Sequence, residues 1–174
     1  MRSILKLPLY LGLSVMVVSV LVSAITLGEK RTVISTQSQA KIEGSDLSMI
    51  FTSPNFLTVV LTTNKDITGV DVVIKFDTDK IIILPSTLLS GTAYTTSGGI
   101  VDETSGTFSF SALRRENSSS SGPVATFNVS PLEGADSVET EFQFREGEGS
   151  SAVIDVSGGN ILNSTRGIKV TVSR

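Results

Sequence analysis

The sequence predicts an all-β fold, a sandwich or a barrel, behind one N-terminal hydrophobic helix. Three observations carry this. The stretch GVDVVIKFDTDKI, residues 69–81, alternates strictly: Val70, Val72, Ile74 and Phe76 fall on one face, and Asp71, Val73 and Lys75 on the other. That is the period of a half-buried strand. Runs of this kind recur at short intervals, separated by turn-forming pairs such as Gly98-Gly99, Ser105-Gly106 and Gly158-Gly159, as in an all-β sandwich or barrel. Beyond the N-terminal run, no stretch carries helical periodicity.

Taken in order, the chain begins with a targeting signal. Arg2 and Lys6 precede an uncharged, mostly apolar run from Leu7 to Leu27, which Glu29, Lys30 and Arg31 end. At about 1.5 Å per residue the run reaches about 31 Å, enough to cross a bilayer core. As a signal anchor it stays as a single spanning helix; as a signal peptide it is cut after Val22-Ser23-Ala24. The run exceeds the roughly 7–15 residues of a signal-peptide core, which favours the anchor. The expected layout is an anchor or signal peptide over 1–28, a polar stalk over 29–40 and a β-domain over 41–174. The β-domain then stands outside the cell membrane, or is secreted.

The strands follow. A first one is expected within Ala40 to Phe51. In NFLTVVLTTN, Leu57, Val59 and Leu61 share a face, and Gly69–Asp77 comes next. Ile81–Leu84 reads as a buried strand stopped by Pro85, which cannot donate to a ladder. Gly91 to Arg114 holds one or two short strands and a hairpin into Thr107–Leu113, with Phe108, Phe110 and Ala112 inward. PVATFNV is another strand, and SVETEFQFRE opposes Thr140, Phe142 and Phe144 to Glu139, Glu141, Gln143 and Arg145. SAVIDVSGG and GIKVTVSR complete about nine. Ser118–Ser121 is expected to be a mobile loop.

Composition removes several functions. Net charge is −3, with 14 Lys and Arg against 17 Asp and Glu and no basic block, so no nucleic-acid partner is expected. With no Cys and no His, thiolate chemistry is absent, as are the commonest general base and the commonest transition-metal ligand. No enzyme and no resident cofactor are expected. Calcium is the one ion left open, at Asp77-Thr78-Asp79 with Asp71 upstream and Asp102-Glu103 further on. The full calcium-loop spacing is missing, and acids capping a turn explain the pattern as well. Carboxylate pairs for glycoside cleavage lack their usual aromatic platforms: the chain has no Trp and two Tyr, of which Tyr10 lies in the apolar run and leaves Tyr94. The glycosylation sequons at Asn117, Asn128 and Asn163 are of a kind that Ser-rich chains carry by chance.

Four stretches together resemble the cohesin family, the β-sandwich modules that receive dockerins. In ITGVDVVIKFDTDKIIIL a Gly leads an alternating strand, an aromatic-Asp pair (Phe76-Asp77), a short turn and a second apolar run. GPVATFNV, SSAVIDVSGGNILN and GIKVTV resemble later strands of the family in order and spacing. The similarity covers about Lys41 to Ser173. It implies a jelly-roll-like antiparallel β-sandwich and a non-catalytic binding module whose partner is a dockerin-like protein. It also implies which surface docks: the face carrying Asp71 and Val73, with Ser109, Ser111 and Leu113 beside them. Two other functions stand beside this one, a carbohydrate-binding module with a polysaccharide ligand and a structural spacer of the cell envelope.

Overall fold

Alternation in the sequence becomes two stacked sheets in the computed structural model, which describes residues 44–52 and 54–174. The apolar run and the stalk, with the anchor, membrane and localisation expectations that rest on them, lie outside the described residues. Lys41–Arg174 is one compact unit, and the described part of it contains strands and turns without a helix.

Twelve strands are present among the described residues, where the sequence suggested about nine. One sheet has five: β1 (Ser45–Thr52), β2 (Phe56–Thr63), β4 (Ile81–Ser90), β8 (Gly122–Pro131) and β11 (Leu162–Arg166), in the order β11-β1-β2-β8-β4. The other has seven. Its path is β12 (Ile168–Ser173), β9 (Ser137–Phe144), β3 (Ile67–Lys75), β7 (Thr107–Arg114) and β5 (Tyr94–Thr96). β10 (Ala152–Asp155) also pairs with β3, and β6 (Ile100–Asp102) with β7. Inward residues of both sheets meet in one core that includes Leu57, Val59, Leu61, Val72, Ile74 and Phe142. At its centre Phe127 packs against Phe108 and Phe110, with ring centroids 4.7 and 6.5 Å away, within the range for tilted aromatic pairs.

Four expectations need correction. The sandwich is not wholly antiparallel, because β11 pairs with β1 in parallel. β11 itself, LNSTR, is polar and mostly exposed, so no alternation announces it. It is held from the side: Asn163 and Ser164 donate to the Asp46 carboxylate at 3.2 and 2.6 Å. β4 does not stop at Pro85 but runs through it to Ser90. The ladder slips between Leu84 and Leu89, and the Thr87 hydroxyl bridges the bulge. It donates to the Leu84 carbonyl at 2.7 Å and accepts from the Asn128 N–H at 2.9 Å. β4 is an edge strand, where proline and bulges are tolerated.

The fourth correction is the serine-rich loop, which is tethered along its length. The Tyr94 hydroxyl donates to the Ser120 carbonyl, and Arg114 Nη1 donates to that of Ser118 at 3.0 Å. Ser118 Oγ donates to the Ala93 carbonyl at 3.0 Å. Ser121 Oγ donates to the Thr63 carbonyl at 2.6 Å while accepting from the Thr63 N–H at 2.8 Å.

Candidate functional site

The outward surface of the seven-stranded sheet is built on the pairing of β3 with β7. Gly69 lies opposite Leu113, Asp71 opposite Ser111, Val73 opposite Ser109 and Lys75 opposite Thr107. Val70, Val72 and Ile74 of β3, and Phe108, Phe110 and Ala112 of β7, are buried, so the intervening side chains turn outward. Asp71, Val73, Ser109, Ser111 and Leu113 therefore share one surface, as the alternation predicts. Asp71, Ser111 and Leu113 are exposed, and Val73 and Ser109 partly so.

Hydrogen bonds fix the middle of this surface. Ser111 Oγ donates to Asp71 Oδ1 at 2.5 Å, which locks the carboxylate across the strand pair. On the far side of β7, Ser97 closes the gap between β5 and β6. Its N–H donates to the Ser111 carbonyl at 2.8 Å, and its hydroxyl accepts from the Ser111 N–H at 3.0 Å.

Apolar groups frame the polar centre, and of these the sequence did not signal Ile100. Ile100 of β6 sits beside Ser109 and is 68% exposed; Leu113 is 63% exposed. β6 is three residues long, too short to show alternation. Gly69 forms a notch between Ile154 of β10 and Leu113. A Cβ there would lie 2.8 Å from the Ala112 carbonyl oxygen and 3.2 Å from Leu113 Cδ2. The surface is thus a shallow, rigid face with a hydroxyl–carboxylate pair between aliphatic groups, a composition suited to protein docking.

Asp77 and Asp102, two of the acids weighed for calcium, cap turns. Asp77 caps the turn after β3: its carboxylate accepts from the Asp79 N–H at 3.1 Å and pairs with Lys80 Nζ at 2.9 Å. The hydrogen bond from Lys80 holds its carboxyl below the usual range. Asp102 accepts from the Ser105 hydroxyl at 2.7 Å and from the Thr104 and Ser105 N–H groups at 2.9 and 3.2 Å, which lowers its carboxyl in the same way. Tyr94, the remaining aromatic candidate for a sugar platform, is wholly buried. Among the described residues, Phe51 and Phe56 are partly exposed and every other aromatic side chain is buried.

No protein-family model matches the sequence, and no curated protein matches it. Solved structures do. A type II cohesin domain from the cellulosome of Acetivibrio cellulolyticus superposes with a TM-score of 0.56 at 12% identity, covering 73% of this chain and 95% of that one. The fold is that of a cohesin module. A type I cohesin–dockerin complex from Clostridium thermocellum matches this cohesin fold with a TM-score of 0.56 at 13% identity, over 74% of this chain and 93% of that one. A cohesin module of a Clostridium perfringens family 33 glycoside hydrolase matches at 0.53 and 8% identity, over 75% and 96%. With so little identity it is the cohesin fold that is shared, and the faces are this chain's own.

Proposed function

We propose that the chain is a non-catalytic binding module that docks a protein partner of dockerin kind on the outward face of its seven-stranded sheet. The observation that carries this is the meeting of Asp71, Val73, Ser109, Ser111 and Leu113 on one exposed surface of a cohesin fold, two of whose strands hold every one of them in register. Ile100 joins the same surface. Solved neighbours of this fold include complexes with dockerins, which supports a partner of that class. Display outside the cell membrane, through the run from Leu7 to Leu27, is part of the same proposal. A carbohydrate ligand is less well supported, since Tyr94 is buried and the chain has no Trp.

The test is Val73→Asp. An extract of the native organism is passed over immobilised wild-type and variant chains, and the retained proteins are sequenced. The expected result is a dockerin-bearing protein whose retention weakens about 5- to 150-fold in the variant, corresponding to about 1–3 kcal/mol at the centre of an interface. Thermal unfolding should shift little, because partly exposed substitutions away from special features usually cost under about 0.5 kcal/mol. Identical protein sets on the two columns would remove the proposal.

A further inference from the structure

The two sheets part at one corner, between the start of β4 and β6, and leave a cleft of about 330 Å³. Ile81 and Ile83 of β4, Phe76 and Val101 form its apolar interior; Ile82, Leu132, Thr78 and Glu103 complete its lining. Val101 alternates along β6 with Ile100 of the docking face, so the cleft lies on the inner side of that strand. The loops beside it are fixed in shape: the Asp77 turn is pinned by Lys80, the Asp102 turn by Ser105, and the Phe76 N–H donates to the Gly106 carbonyl at 2.9 Å. A preformed recess of this size, with aliphatic walls and a polar mouth at Thr78 and Glu103, lies at the small end of ligand sites.

Two further observations say what fits. First, β4 has β8 on one side and no strand on the other. The Asn128 N–H points toward β4, where it meets Thr87, and the Val129 N–H points away, to the Asn55 carbonyl. By antiparallel alternation, Ile82 and Leu84 therefore bond to β8, while the backbone of Ile83 faces the open edge beside the cleft. Pro85 closes that edge beyond Leu84. Second, the charge at the mouth is negative and unpaired. Asp77 and Asp102 are engaged as described, but the exposed Glu103 has no partner among the described residues, and Lys80 is held by Asp77.

We propose that this cleft and the free edge of β4 bind a short extended peptide segment, which adds as a strand beside Ile83. An aliphatic side chain of the peptide enters the cleft, and a basic residue two positions away, on the same face, reaches Glu103. Main-chain bonds supply the pairing, and the cleft and the carboxylate supply the selectivity. The segment is brief, because the edge offers only the residues before Pro85. The cleft shares no lining residue with the docking face.

The probe is a fluorescein-labelled Lys-Thr-Ile-Thr-Lys peptide, blocked at both ends, titrated into the full chain by anisotropy. Saturable binding is expected, with amide shifts centred on Ile83, Val101 and Leu132. Binding should weaken about tenfold or more with Glu-Thr-Ile-Thr-Glu or with Lys-Thr-Ser-Thr-Lys, and about fivefold in Glu103→Gln. Glu103 is exposed and unpaired, so that variant folds; Val73→Asp should leave the affinity unchanged. No saturation below about 1 mM overturns the proposal. So does equal binding of the serine peptide, which marks simple charge attraction. Self-association of the chain that Glu103→Gln abolishes also overturns it, with a second copy as the occupant.

Discussion

Ser151 bonds to both backbone groups of Val73: its hydroxyl accepts from the Val73 N–H at 2.8 Å and faces the Val73 carbonyl at 3.3 Å. There, where β9 has ended and β10 has not begun along the edge of β3, the hydroxyl stands in as acceptor for the Val73 N–H, while the Val73 carbonyl also accepts from the Arg145 N–H at 2.9 Å. Ser97 performs the same task for Ser111 on the edge of β7. The two serines differ in burial. Ser151 is 1% exposed, whereas Ser97 is open to water.

That difference sets a prediction. Ser151→Ala strips a partner from a backbone N–H that water reaches poorly, and should cost about 1–3 kcal/mol. Ser97→Ala leaves groups that water can satisfy, and should cost under about 0.5 kcal/mol. Denaturant unfolding of the two variants measures both; equal costs would refute the assignment of the difference to burial.

Thr140 predicts the opposite sign. Its side chain is 3% exposed, and its hydroxyl has no hydrogen-bond partner among the described residues. Thr140→Val keeps the shape and removes an unpaired polar atom, so the fold should gain about 1 kcal/mol. A lower melting temperature in the variant would mean that the hydroxyl is satisfied in solution.

Tyr94 predicts a pH window. Burial pushes its phenol from 10.0 up to about 12, against a smaller opposing pull from Arg114. Between those values the unfolded chain has released a proton that the folded chain keeps. Stability therefore falls as pH rises from about 10 to about 12 and levels off beyond. Tyr94→Phe should remove that component, visible as a shallower loss of stability than wild type when unfolding is followed across the window. The loop it tethers should also exchange its amide hydrogens faster in the variant, since the hydroxyl holds the Ser120 carbonyl.

The outward face was readable because period 2 is local: each of Asp71, Val73, Ser109, Ser111 and Leu113 is placed by its own neighbours in the chain. Ile100 was not readable, because a three-residue strand has no period to show. The same contrast runs through the fold. β3, β7 and β9 declare themselves by alternation, whereas β11 exists because Asp46, far away in sequence, collects its polar side chains. The stretch after Pro85 remains a strand because Thr87 supplies bonds that the backbone cannot. The serine-rich loop is quiet for the same reason, since its tethers come from Thr63, Ala93, Tyr94 and Arg114. Where order depended on long-range hydrogen bonds from side chains, sequence periodicity carried no trace of it.

At Gly167 the chain leaves one sheet and joins the other: β11 pairs with β1, and β12 with β9. The crossing is so close that a Cβ at Gly167 would lie 2.5 Å from the Phe142 carbonyl oxygen. This junction ties the earliest described strand to nearly the last, across the 118 residues that separate Asp46 from Ser164. At about 5–20 residues per second, a ribosome takes roughly 6–24 s to travel between them. Through that interval β1 has only one of its two neighbours, and its other edge stays open to foreign strands. The nascent protein is therefore exposed to mispairing along β1 until β11 has been made.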